Sequence, residues 1–377
     1  MDSAGMRAQM PIAERVAYFD HSAVAPLSGP ASAALAQWAR EAAELGDTVW
    51  MNWSDRVGEV RSSAARLIGA EESEIVLVPN TTTGINFVAE GLDWREGDNV
   101  VILADEYPSN VYPWMNQESR GVETRMVKTD FGRFDLDRVR EACDDRTRVV
   151  SVSWVGFSTG YRQDIDSLAA IAHEAGALFF LDAIQGLGVF PIDVRQTPID
   201  FLAADGHKWM LGPEGAGLAY IKSEHLDKLR PAGVGAASVV GRYDYTTIDF
   251  RLRPTAARFE GGSQNLAGLI AWGASLDLLM AWPRGGAAEA VLSISDAACE
   301  RLRSIGAEIA THREPQSGWD PRSGVVSFTL PGQDPVKQRE RCLEAGVALS
   351  CRGGRLRISP HAYTNTDDID RLVTALQ

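Results

Sequence analysis

Short apolar runs alternate with segments of helical spacing from about residue 75 to residue 222. The runs are Ile75–Val78, Val100–Ala104, Val149–Trp154, Leu178–Asp182, Phe201–Ala204 and Gly217–Ile221. Such runs, apolar at successive positions, predict strands covered on both faces, and strands separated by helices predict a mostly parallel sheet. Ahead of them, Ala31–Gly46 and Trp53–Ile68 have the apolar spacing of two amphipathic helices. After Gly233-Val234-Gly235 the alternation stops, and an irregular Arg/Tyr/Pro stretch leads to a long helical segment around Leu266–Met280. A strand at Val325–Leu330, a helix at Pro335–Ala345, strands near Val347–Cys351 and Arg355–Ile358, and a final helix from about Asp367 then predict a small α+β unit. The expected division is a large α/β domain at 15–255 and a small C-terminal domain at 256–377, with the N-terminal arm 1–14 packed nearby. No disordered linker marks the boundary near residue 255.

Composition adds limits rather than direction. The 377 residues are 45% hydrophobic and 23% charged, ordinary for a globular chain with a sizeable core. The net charge of −14 comes without any basic cluster, which argues against nucleic acid and anionic membrane as partners. Met1–Val16 has no continuous apolar run of the kind a signal peptide needs, and no later segment reaches spanning length, so a cytoplasmic protein is expected. Cys143, Cys299, Cys342 and Cys351 are widely spaced without a CxxC pair, and the six histidines form no HExxH, so neither a disulfide framework nor a metal centre is indicated.

The chemistry concentrates at Lys208, in Asp205-Gly206-His207-Lys208-Trp209, with Gly212-Pro213-Glu214-Gly215-Ala216-Gly217 close behind. A lysine carried from a buried strand into a glycine-rich turn loses solvation, which lowers its pKa and prepares it to capture an aldehyde as a Schiff base. Asp182 ends a second apolar strand, Ala177–Leu181, and a carboxylate there needs a buried cationic partner. Together they point to pyridoxal 5'-phosphate, which needs a lysine for its aldehyde and an acid to keep its ring nitrogen protonated. Both would lie at the ligand-binding edge of an open α/β sheet. Asn80-Thr81-Thr82-Thr83-Gly84-Ile85-Asn86 follows the strand Ile75–Val78 and opens a helix, where free N–H groups and hydroxyls suit a phosphate. Such a run alone is more often an N-cap. Neither Gly186-Leu187-Gly188 nor Gly233-Val234-Gly235 completes GxGxxG, so a nucleotide-binding dehydrogenase has only the α/β pattern in its favour.

With Asp182-Ala183-Ile184-Gln185, Gly206-His207-Lys208, Thr81–Asn86 and Arg258-Phe259-Glu260-Gly261-Gly262-Ser263-Gln264-Asn265 in that family's motifs, the chain from Tyr18 onward resembles the class V aminotransferases. These are fold-type I pyridoxal phosphate enzymes that include cysteine desulfurases, isopenicillin N epimerase and kynureninase. The resemblance implies a seven-stranded, mostly parallel sheet in the large domain. It implies that Lys208 carries the cofactor, that Asp182 pairs with the pyridine nitrogen, and that Gln185 faces the ring hydroxyl. Thr81, Thr82 and His207 would hold the phosphate, and Tyr107 would stack on the ring. Gly262 and Ser263 match a segment that reaches the phosphate of the other subunit, implying a homodimer with shared sites. Arg355, Arg357 and Ser359 share one strand face, and a guanidinium there is a natural receptor for a substrate carboxylate. The resemblance favours Arg357.

The chain also departs from the family. Desulfurases carry a nucleophilic Cys on a loop that here is missing, since Cys351-Arg352-Gly353-Gly354-Arg355 runs straight into the next strand. Cys351 alternates with Val347 and Leu349 and reads as a packed core residue. Phe157 stands where relatives often have Asn, and Asp205 replaces a common Ser near the phosphate, where an ionised carboxylate would repel it unless it finds another donor. The expectation is an enzyme acting on an amino acid or related amine, with amino transfer ranked first. β-Elimination at a C–S bond or epimerisation comes close behind, and desulfurase chemistry lower. A cofactor-binding regulatory protein is the non-enzyme alternative, disfavoured because Lys208, Asp182 and the phosphate residues are intact.

Overall fold

The computed structural model describes residues 1–377. After a two-residue strand, β1 (Ala17–Tyr18), come seven strands of one sheet. They are β2 (Ile75–Val78), β3 (Asn99–Leu103), β4 (Glu123–Val127), β5 (Thr147–Ser153), β6 (Leu178–Asp182), β7 (Phe201–Asp205) and β8 (Gly217–Ile221). Their spatial order is β2-β8-β7-β6-β5-β3-β4. The β7-β6-β5-β3-β4 run is parallel, and β8 is antiparallel to both its neighbours. This is the mostly parallel, helix-covered α/β architecture expected of fold type I. Strands β3, β7 and β8 are buried at every position, because helices or loops cover both faces.

Strand β4 went unrecognised in the sequence. It lies at the sheet edge with Glu123, Thr124, Arg125 and Met126 exposed or half-buried, so it has no apolar run to betray it.

Four short strands, β9 (Glu308–Ile309), β10 (Val326–Thr329), β12 (Ser350–Arg352) and β13 (Arg355–Ile358), form an antiparallel sheet in the order β12-β13-β10-β9. β11 (Val347–Ala348) pairs instead with β1, so the start of the chain is stitched to its end. Ala17 and Phe19 accordingly join the core cluster that runs from Ala298 to Leu376. The helix Leu266–Met280 belongs elsewhere. It is apolar nearly all round, and Leu269, Ile270, Trp272 and Leu276 enter the largest core cluster beside Trp53, Val60 and Leu218. The expected division near residue 255 thus falls ahead of a helix whose packing partners lie in the larger unit. The arm bridges both bodies. Met6 and Met10 sit in the large core, while Arg7 pairs with Asp368 at 2.7 Å. No helix is long and apolar enough to cross a membrane.

Candidate active site

The carboxyl ends of β6 and β7 open into a cavity of about 350 Å³. Its walls include Thr81, Thr82, Tyr107, Asp182, Gln185, His207, Lys208 and Arg357. Asp182 is the last residue of β6, and β7 runs through Asp205 into the turn that presents Lys208. Hydrogen bonds from Leu211 N to Lys208 O at 3.0 Å and from Gly212 N to Gly206 O at 2.8 Å close that turn. Gly206 is required because a Cβ there would lie 2.6 Å from Ala216 O and 2.8 Å from the Trp272 ring. Trp209 anchors the next position. Its indole N–H donates to Gln185 Oε1 at 2.9 Å, and its ring packs against those of His21 and His361, which also touch each other. Burial pushes the imidazole of His361 down to about 4 and lowers that of His21, so both are neutral packing groups at pH 7.

Two ionisable groups of opposite tendency face each other here. Burial lowers the Lys208 amine to about 8 against the opposing pull of Asp182. Burial raises the Asp182 carboxyl to about 6, against a backbone hydrogen bond from Ile184 and the charge of Lys208. A lysine near neutrality is a competent nucleophile and proton carrier. Ile184 N donates to Asp182 Oδ1 at 3.1 Å, and a protonated ring nitrogen is the natural ligand for the other oxygen.

The helix Thr81–Ala89 aims its N-terminus into the same cavity. Asn80 caps it, accepting from Thr83 N at 2.8 Å. The helix approaches the sheet closely because residue 84 is glycine, where a Cβ would lie 2.7 Å from the Ala203 Cβ. Thr82 Oγ1 donates to Ser109 Oγ at 2.8 Å, and Thr81 Oγ1 accepts from Asp205 N at 3.0 Å. A hydroxyl-lined helix start suits a phosphate. The Lys208 amine lies 5.6 Å from the centre of the Tyr107 ring, which leaves that ring on the cavity wall, edge-on to Phe157 at 5.1 Å. Gln185 donates one amide N–H to Ser22 O at 2.9 Å and keeps another for a ring substituent. These donors and acceptors fit pyridoxal phosphate.

Arg357 reaches the cavity from β13 and is held on three sides. Nε donates to Ser350 Oγ at 3.0 Å, Nη1 to Phe157 O at 2.5 Å, and Nη2 to Asp20 Oδ1 at 3.3 Å. Phe157 therefore contributes its carbonyl as well as its ring. Arg355 lies over Phe131 at 4.7 Å and does not line the cavity. Gly262 and Ser263 do not line it either. They border a separate hollow with Trp50, Tyr243 and Gln264. Cys351 is half-buried on β12, outside both the cavity and the apolar cluster that holds Val347 and Leu349, which corrects its expected core packing. Strand alternation turns it away from Ser350 and Arg352, whose side chains reach Arg357 and the cavity.

Sequence reasoning missed Ser109 and Glu106, both in the Tyr107 segment, and Asp20. No spacing signal marks them; only the fold brings them to the site.

Residues 17–372 match the family model for class V aminotransferases, and the chain belongs to that family. It is 31% identical to a probable cysteine desulfurase of Methanothermobacter thermautotrophicus, over all of this chain and 98% of that protein. It is 28% identical to a cysteine desulfurase of Escherichia coli strain K12 / DH10B, over 99% of this chain and 97% of that one. Among solved structures, the E. coli cysteine desulfurase CsdA in its S-sulfonic acid form superposes with a TM-score of 0.88 at 25% identity, covering 100% of this chain and 98% of that one. The cystine C–S lyase C-DES, solved with cysteine persulfide, superposes at 0.90 with 21% identity over 98% and 99% of the two chains, a likeness of fold.

Proposed function

We propose that this protein is a pyridoxal-phosphate-dependent enzyme that breaks the Cβ–S bond of a cysteine-type amino acid by β-elimination and releases the sulfur directly. One observation carries it: Lys208, Asp182 and Arg357 share a cavity whose walls include no thiol. Sequence alone ranks amino transfer first. The relatives named as cysteine desulfurases move carbon–sulfur cleavage ahead of it, and the position of Cys351 argues against a persulfide on the protein.

The bound cofactor supplies a sink for the electron pair left at Cα. Arg357 takes the α-carboxylate through its remaining N–H groups and fixes the substrate's orientation. The Lys208 amine removes the α-proton. The pair released at Cα forms the Cα–Cβ double bond as the Cβ–S bond breaks, and the sulfur leaves with the bonding pair as a thiolate. The eliminated enamine hydrolyses, so cysteine and water become pyruvate, ammonia and sulfide. Tyr107 and Phe157 line the cavity beside Lys208 and Arg357. Gly262 and Ser263, bordering a hollow next to the exposed Tyr243 and Tyr245, would serve the phosphate of a second copy in a homodimer.

The test is product analysis with L-cysteine and no keto-acid acceptor. Equal amounts of sulfide, pyruvate and ammonia over many turnovers are expected, unchanged by Cys351→Ala. Alanine as the product, lost in that variant, would establish desulfuration through Cys351. A single equivalent of keto acid per site followed by arrest would return the reading to amino transfer.

A further inference from the structure

Asp205 stands at the phosphate end of the cavity, where a carboxylate is out of place. It is buried, 4% exposed, and its Oδ1 has no hydrogen-bond partner. Its Oδ2 lies 2.9 Å from Nδ1 of His207. The distance is that of an ion pair, but the angle does not complete a hydrogen bond, so the imidazole nitrogen is unsatisfied as well. The backbone is well held by comparison, since Asp205 N donates to Thr81 Oγ1. A phosphate seated on the helix N-terminus beside Thr81 and Thr82 would meet this carboxylate with only Lys208 and His207 as cations from the same turn. If Lys208 is engaged with the cofactor's aldehyde, His207 alone remains there.

We propose that Asp205 and His207 form a proton-holding pair that makes cofactor retention depend on one proton: Asp205 is a positioning residue that keeps His207 as imidazolium, Nδ1 toward the carboxylate and Nε2–H toward the phosphate. The proton cancels the charge of Asp205, and the ring supplies the donor. Without it, the site presents an unpartnered carboxylate and a neutral ring to a dianion. This replaces a neutral hydroxyl contact with a charge-assisted one, stronger while protonated and repulsive once the proton leaves. Other ionisable groups line the cavity: Lys208 and Glu214 from the same loop, Asp182 from β6, Tyr107 from the loop after β3, and Arg352 and Arg357 from β12 and β13. Only Asp205 lies within ion-pair distance of His207.

The inference rests on the pyridoxal phosphate reading and is tested separately from activity. Pyridoxamine 5'-phosphate is titrated into cofactor-free protein from pH 6 to 9.5, followed by its absorbance and fluorescence. It forms no bond to Lys208 and ionises identically against every variant. Beyond the pH dependence that Lys208, Asp182 and the probe impose on every variant, wild-type affinity should carry that of one further linked proton, up to about tenfold per pH unit above the midpoint of the pair. Asp205→Asn should move that midpoint to lower pH, and Asp205→Ser should bind more tightly than wild type at pH 9. His207→Gln should bind weakly and lack that additional pH dependence. Superimposable pH profiles for wild type and both Asp205 variants would overturn the pair while leaving the cofactor assignment standing. Failure of folded wild-type protein to bind the probe at any pH would overturn the cofactor assignment itself. Thermal midpoints of the variants separate weak binding from misfolding.

Discussion

Glu106 shows how far a single residue can be from its sequence appearance. It precedes Tyr107 in a polar loop, yet its carboxyl is buried, accepting from Ser153 N at 2.7 Å and bonded to the Ser153 hydroxyl. Burial pushes it up to about 8, against those hydrogen bonds and with a small further push from Asp182. The proton is therefore held more tightly in the folded chain than in the unfolded one. The resulting stability is complete below the ordinary carboxylate range, near pH 4.5, and is lost as pH rises through about 8. Glu106→Gln mimics the protonated form. Denaturation of cofactor-free protein should find the two chains similar at pH 5 and the Gln variant more stable at pH 9, by about 3–5 kcal/mol. Parallel pH dependences would show that the carboxyl is not held protonated. Asp182 was legible because it closes one apolar strand run, and Lys208 because it lies in the turn just past another. Glu106 was not, because nothing in Glu-Tyr-Pro-Ser-Asn says that Ser153 folds over it.

Strands β2, β3, β5, β6, β7 and β8 could be found by their apolar runs, since a strand covered on both sides must be hydrophobic throughout. The edge strand β4 and the amphipathic helix Gly286–Ser304 escaped, the first for want of apolar side chains and the second because its buried stripe is built largely of alanines and includes Ser295. The helix Thr81–Ala89 illustrates a double use. Its capping residue, Asn80, lines the cavity, so the device that ends the backbone's unpaired N–H groups also shapes a ligand site. Asn80→Ala should cost about 1 kcal/mol in stability and also weaken the binding of pyridoxal phosphate as the first turn frays. Chemical denaturation and a cofactor titration measure the two effects. A loss of stability with unchanged cofactor affinity would confine Asn80 to capping.

The whole molecule is held together from its ends. Arg7 donates to both carboxylate oxygens of Asp368, at 2.7 and 3.3 Å, and to Tyr363 O at 3.2 Å, tying the arm to the last helix. Asp368 is only 3% exposed, so Arg7→Ala leaves a buried carboxylate without its cation and should destabilise the protein by about 2 kcal/mol. A shift in denaturant midpoint at constant slope checks it; no shift would mean that Asn365 N alone satisfies Asp368. This closure of the chain was invisible in the sequence, because it joins residues 361 positions apart. Arg357 works at the same scale. It rises from the C-terminal sheet, and its guanidinium is gripped by Phe157 O of the large unit and by Asp20 of the N-terminal segment. An arginine free in solvent loses up to about 2 kcal/mol of rotamer entropy when a ligand freezes it. Here folding has already frozen the fork, so in the role proposed for Arg357 an arriving carboxylate would meet a receptor with almost no motion left to surrender. Its affinity becomes a measure of how well the three parts of the chain are docked.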